Sequence, residues 1–380
     1  CAVKRGSTKV TPRARVRSLS GEGPFKVGFV PTIDCAPLVV AQEAGLFRKW
    51  GVPVRLIREV GWASIRDRLL HQELHAAHAS ATMAFAMRCG LGSLAVPCLT
   101  SVILAYNGSA ITISAHLASK GGDDPAALRA LVREPGAKRK FRLAAVFHYS
   151  TQHENLRRWL RSCGLEVGAD VDIVVMPSSL VHKSLAGGYI DGFCVAEPWS
   201  SVSEAEGVGR IALPRAGGEG MQVEKVLLVL ERFEREFPEA HQAMVCAVLE
   251  AAALCEQPEF AGELVAMLRG RAYLDAPEMV LRRSLAAGTG EGAVGGIRYG
   301  AGSLGAPTRD RGVQVFEILK SIGVPESCRS FRRDVVSKIF REDLFTRAWE
   351  RLPFHPPAGA DQGRMPVQSP SFERSGSKAA

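Results

Sequence analysis

No stretch of this chain approaches the ~20 consecutive apolar residues that a bilayer-spanning helix needs. The sequence therefore predicts no membrane-crossing helix. Also missing are a G-x-S-x-G elbow, an H-E-x-x-H pair and a P-loop, which removes the usual nucleophile, zinc-protease and nucleotide-cradle signatures. The nine cysteines, at positions 1, 35, 89, 98, 163, 194, 246, 255 and 328, form no C-x-x-C pair and no cluster with histidine. They read as small buried hydrophobes of a reducing compartment. The first residue is Cys1 rather than Met, which fits either an incomplete sequence or a processed lipoprotein anchored through that cysteine, and the residues leave both open.

Acidic residues are absent before Glu22, while Lys4, Arg5, Lys9, Arg13, Arg15 and Arg17 precede it. Most of the net charge of +9 thus sits in a leader, and the rest of the chain is nearly balanced. With no reading motif beside that charge, nucleic acid is not an expected partner.

What is present is a globular composition, 46% apolar and 23% charged over 380 residues. That length is long for one core and favours two lobes with a cleft between them. Strand and helix patterns alternate from Phe25 to Leu91 and again from Phe141 to Ala196, predicting a mainly parallel sheet in each lobe with helices on both faces. Asn107-Gly108-Ser109 interrupts a strand that then resumes, as a crossing between lobes would. Val226 to Leu230 is apolar at every position and reads as a buried strand returning to the first lobe. Beyond Arg232 helices dominate. The expected organisation is a disordered basic leader over 1–24, a first lobe from 25–110 and 221–355, a second lobe over 111–220, and a disordered tail over 356–380.

Trp62 stands where the strand pattern Val52 to Val60 gives way to a helix carrying Ile65, Leu69 and Leu70 on one face. In open α/β sheets ligands bind beyond the carboxyl ends of strands, and helix N-termini offer free N–H donors to anions. Trp62 therefore either lines a ligand site or packs the turn. Thr151, Gln152 and His153 open a helix at the matching corner of the second lobe, where Thr151 can cap and the polar side chains converge; the alternative is a cap beside a solvated histidine. Lys225 precedes the buried strand, and its ordinary fate would be the surface. His71, His75 and His78 suggest a metal site, but His75 falls at the next strand, so helical ligand spacing fails and no metal is expected.

Five ordered stretches carry a resemblance: Val27-Gly28-Phe29-Val30-Pro31 with Asp34-Cys35-Ala36-Pro37-Leu38; Arg58-Glu59-Val60-Gly61-Trp62 with Arg66-Asp67; Asn107-Gly108-Ser109-Ala110-Ile111-Thr112; Asp191 through Trp199; and Glu224-Lys225-Val226-Leu227. The chain resembles the nitrate- and bicarbonate-binding proteins of ABC transporters, the NrtA/CmpA type, and their relatives the NasS-type nitrate and nitrite sensors. The resemblance implies a type II periplasmic-binding-protein fold: two α/β lobes joined by two hinge crossings, followed by a helical C-terminal part. It also implies a ligand closed between the lobes and no catalysis or cofactor.

Carried over residue by residue, the family's anion-contacting tryptophan falls on Trp62 and its anion-binding lysine on Lys225. The resemblance places Ser109, Thr151, Gln152 and Pro198 around the cleft. Bicarbonate binders that use calcium have an acid at the lysine position, so Lys225 implies nitrate or nitrite. Two departures stand out. Relatives commonly carry a Thr-His or Ser-His pair where this chain reads Thr151-Gln152-His153, so either Gln152 replaces the histidine or His153 takes its place. Ser109 stands where Asn or Gln is more usual. The implied roles are transport in the cell envelope with an ABC permease and ATPase, or cytoplasmic sensing with a regulatory partner. An enzyme of pyrimidine or thiamine-precursor metabolism on the same fold is the remaining alternative.

Overall fold

The computed structural model describes residues 23–134, 139–213, 221–270, 273–286, 296–325, 328 and 333–353. The predicted leader, except Gly23 and Pro24, and the predicted tail lie outside the described residues, as does Cys1. Two sheets carry the architecture. The first runs β11-β4-β10-β3-β1-β2 and the second β7-β6-β8-β5-β9. The first-sheet strands are β1 (Phe25–Phe29), β2 (Val54–Arg58), β3 (Ala76–Ser80), β4 (Cys98–Tyr106), β10 (Val223–Leu230) and β11 (Arg298–Tyr299). The second sheet holds β5 (Ser109–Ser114), β6 (Phe141–Ala145), β7 (Val171–Val175), β8 (Gly192–Ala196) and β9 (Gly209–Leu213).

The expected mainly parallel arrangement holds only within each α/β run. β1 pairs parallel with β2 and β3, and β6 with β7 and β8. β10 is antiparallel to both β3 and β4, and β5 antiparallel to β8 and β9. The sheets are mixed because the strands that pass between them enter the far sheet against its local direction. Asn107 and Gly108 make the first crossing with φ of 55° and 83°. Two successive left-handed residues redirect the chain from one sheet to the other within a short link, a conformation that favours Asn and Gly.

β4 and β10 are buried at every position, which accounts for their lack of alternation. The 18-residue helix Pro238–Cys255 is buried over most of its length and packs beside helix Ala36–Glu43. Sequence periodicity anticipates that helix, but it starts the helix ending at Ile322 four residues late. It begins at Arg309, where the Thr308 hydroxyl accepts from the Arg311 N–H at 3.4 Å. No described helix is long and apolar enough to cross a membrane.

This topology brings the carboxyl ends of β1, β2 and β3 to face those of β6 and β8. The two faces touch. Trp199 Nε1 donates to the Pro31 carbonyl at 3.0 Å and the Ile33 N–H to the Glu197 carbonyl at 2.8 Å. The Thr82 hydroxyl, from the first lobe, donates to the Tyr149 carbonyl of the second.

Candidate functional site

Between those facing strand ends lies a cluster of charge with no access to solvent. Asp34, His78, Glu224 and Lys225 are each 0% exposed. Lys225 Nζ stands 3.0 Å from Asp34 Oδ2 and 3.2 Å from Glu224 Oε2, and His78 Nε2 lies 3.0 Å from Asp34 Oδ1. The Thr32 hydroxyl donates to Asp34 Oδ1 at 2.5 Å. From the second lobe, the Thr151 hydroxyl donates to Glu224 Oε2 at 2.5 Å, and Gln152 Nε2 donates to the same oxygen at 2.8 Å and to Ser109 Oγ at 2.9 Å. Trp62, the first residue of helix Trp62–Leu70, closes the wall. Its ring lies 5.1 Å from the His78 ring, and the Lys225 ammonium sits 5.3 Å from its centroid.

Consecutive residues of a regular strand point to opposite faces, yet Glu224 and Lys225 both reach this cluster. The cause is local: the β10–β4 register shifts between Val223 and Lys225 and again between Lys225 and Val226. Irregularities of this kind re-aim side chains beside binding sites.

Burial pushes the Lys225 ammonium toward neutrality, but Asp34 and Glu224 outweigh it, so its pKa is raised and it stays charged. Burial also pushes the Asp34 carboxyl upward; Lys225 and then His78 more than reverse this and hold it well below the usual carboxylate range. Glu224 behaves oppositely. Burial raises its pKa, against the pull of Lys225 and the Thr151 hydroxyl. Burial likewise lowers His78 despite Asp34 and favours its neutral form.

The structure therefore brings Trp62, Ser109, Thr151, Gln152 and Lys225 together. Of Gln152 and His153, it places Gln152 in the cluster and His153 beside it. Ser150, not Thr151, caps helix Thr151–Ser162, its hydroxyl accepting from the His153 N–H at 3.2 Å. Ser and Thr are nearly equivalent caps, so the sequence does not choose between them. With Ser150 capping, Thr151 and Gln152 turn into the cluster, and the His153 ring packs against His148 at 5.1 Å instead. Pro198 is buried at the start of helix Trp199–Ala205, where its carbonyl accepts from the Val202 N–H at 2.8 Å; the preceding peptide, Glu197–Pro198, is cis. It stands on the seam between lobes, with no hydrogen bond into the cluster. Lys225 is fully buried, against the ordinary surface fate of lysine.

Sequence reasoning passed over Asp34, His78 and Glu224 as site residues. A signal existed for two of them, since Asp34 lies within an apolar segment and Glu224 adjoins an all-apolar strand, where a charge requires a partner. The three histidines of the suspected metal motif separate: His75 Nδ1 accepts from the Lys26 N–H at 3.0 Å, His71 ends a helix, and only His78 joins the cluster. Among the described residues no group of three or more His, Cys, Asp or Glu is placed to hold a metal ion. An open cleft of about 360 Å³ on the first lobe, lined by Phe29, Val54, Arg55, Arg58 and Tyr273 among others, shares no residue with the cluster.

Two facing α/β lobes, two crossings and a buried polar cluster between strand ends define a type II periplasmic-binding-protein fold. The periplasmic nitrate-binding protein NrtA from Synechocystis PCC 6803 has a similar crystal structure: TM-score 0.77, 24% identity, 87% of this chain and 90% of that one covered. Residues 21–269 match the NMT1-like family, and the chain belongs to it. It is 33% identical over 254 residues to the nitrate import ATP-binding protein NrtC of Synechocystis sp., covering 65% of this chain and 38% of that one. It is also 28% identical over 289 residues to the nitrate/nitrite binding protein NrtA of Nostoc sp., covering 73% and 62%. The chain thus spans less than two thirds of the length of these relatives.

Proposed function

We propose that this chain is a binding protein, not an enzyme, that closes two lobes (25–110 with 221–355, and 111–220) on a planar monovalent oxyanion, nitrate or nitrite, as a component of an ABC-type uptake system. The observation that carries this reading is the buried Lys225 ammonium at the seam, walled by Trp62 and faced by the Thr151 and Gln152 donors at the start of a helix. A fixed cation serves an anion without a metal, and a helix N-terminus adds donors and positive potential. The similarity to NrtA supports the same ligand class. In this role the partners are an ABC permease and ATPase, and the place is the cell envelope.

A sensing role for the same site is favoured by the cysteines, which form no disulfide among the described residues. The codons upstream of Cys1 discriminate, since a hydrophobic leader with a lipobox means transport. The enzyme alternative would need a catalytic His and Cys pair in the cleft. Cys194 is poorly suited, because burial and then the Glu224 charge push its thiol pKa well up.

Calorimetric titration of the full chain in chelator-treated buffer tests the proposal. Nitrate should bind without metal, and Lys225→Gln should weaken it about ten- to a hundredfold, the worth of a charged hydrogen bond of roughly 1.5–3 kcal/mol. No binding of nitrate or nitrite by the wild type, or unchanged affinity in the variant, would refute it.

A further inference from the structure

The donors that would hold a planar oxyanion are already engaged. Glu224 Oε2 takes the Thr151 hydroxyl at 2.5 Å, the Gln152 amide at 2.8 Å and the Lys225 ammonium at 3.2 Å. Two of these donors belong to the second lobe and the third, like Glu224 itself, to the first. A carboxylate is planar and carries one negative charge over two oxygens, which gives it the chemistry of nitrite and nearly that of nitrate. Its other oxygen, Oε1, is buried and has no hydrogen-bond partner among the described residues. Lys225 meanwhile has its own counter-charge in Asp34.

We propose that Glu224 is an internal occupant of the anion subsite: its carboxylate takes the three donors for itself, ties the two lobes across them, and yields them when a free planar oxyanion binds. Glu224 is then the residue that sets how tightly, and at what pH, the site accepts its ligand. The inference rests on the anion-binding reading above.

Counting charge gives the consequence. With Lys225 positive, Asp34 negative and His78 neutral, an ionised Glu224 leaves the enclosed cluster at one net negative charge. Adding a free anion would make two, in a medium that opposes even one. The anion therefore enters in company with a proton for Glu224, and burial, which raises that carboxyl's pKa, prepares it to take one. The charged and titratable groups acting on Glu224 are Lys225 on its own strand, Asp34 in the segment after β1 and Cys194 on β8, with His78 on β3 held against Asp34; the helix carrying Thr151 and Gln152 brings uncharged donors to it. His78 also adds positive charge on acidification. The comparison with a Glu224 variant separates the two.

The experiment is nitrate titration of the full chain and of Glu224→Gln, by calorimetry, from about pH 5 to about pH 8, upward from the ordinary carboxyl pKa. Removing the competing carboxylate should tighten nitrate binding about ten- to a hundredfold at the alkaline end, the worth of the charged hydrogen bonds it gives up. Wild-type affinity should fall with rising pH by up to about tenfold per unit, and this limb should be lost in the variant. Binding by both proteins with equal affinity, or weaker binding by the variant, overturns the internal occupant while leaving the anion reading intact. Failure of both proteins to bind nitrate or nitrite at every pH overturns the anion reading and this inference with it. Should Glu224→Gln not fold, the wild-type series decides: affinity that is flat or rises with pH is the contrary result.

Discussion

Replacing Lys225 with Met should destabilise the fold by about 3–5 kcal/mol near neutral pH, the usual cost of removing one partner of a buried ion pair. Met roughly keeps the volume and removes the charge. What remains is Asp34 and Glu224, both 0% exposed, that had shared one ammonium at 3.0 and 3.2 Å. The loss should depend on pH, and its sign follows from Asp34. In the wild type its folded pKa is depressed, so it stabilises the fold above its unfolded pKa, and that contribution is lost as pH falls toward the folded value. Without Lys225, burial dominates and raises the Asp34 pKa; below it the neutral acid needs no counter-charge. The gap between wild type and variant should therefore be widest at about pH 8 and narrow toward about pH 5. Urea unfolding followed by circular dichroism measures it, and Asp34→Asn combined with Lys225→Met should recover most of the loss. A loss below about 1 kcal/mol near neutrality, within the range of an exposed pair, would refute the reasoning. So would a gap that does not narrow on acidification.

Two further predictions concern the frame around the site. His153 is held to about 4 by burial, with His148 and Arg157 adding to the effect; the stability this gives is complete above the ordinary histidine value and lost as pH falls from there to about 4. His153→Leu should abolish an acid limb worth on the order of 2–3 kcal/mol in urea unfolding, whereas an unchanged limb would mean the ring is solvated. Gly300→Ala would place a Cβ 1.8 Å from the Ile103 carbonyl oxygen of β4, so its thermal midpoint should fall by the equivalent of about 1–3 kcal/mol or more. An unchanged midpoint would place the β4 and β11 backbones further apart than described.

Much of this fold is legible in the residues because its strands and helices alternate at a regular pitch. Two strands buried on both faces announce themselves as apolar runs, and Trp62 sits at a strand-to-helix corner that periodicity locates well. The antiparallel entry of β5 and β10 was less accessible, because direction within a sheet depends on where a crossing delivers the chain. Short elements such as helix Ala115–Ser119 and β11 offer too few residues for a period. The candidate site was half visible. Trp62, Gln152 and Lys225 stand out as polar or aromatic residues at element boundaries. Asp34 and Glu224 give the hint of a charge set against apolar residues and His78 gives none, but tertiary contact is what gathers the three, Glu224 through a register shift that no local pattern encodes.

The central claim, that the buried cluster at the lobe seam is an anion site, is tested most directly by a crystal structure of the full chain grown with nitrate and without divalent metal. The account predicts nitrate between the lobes, within hydrogen-bond distance of Lys225 Nζ and Gln152 Nε2 and against the Trp62 ring, with Glu224 turned away from those donors. Nitrate found only elsewhere, for instance beside Arg55 and Arg58 in the first-lobe cleft, with the Lys225–Glu224 contact intact, would contradict it.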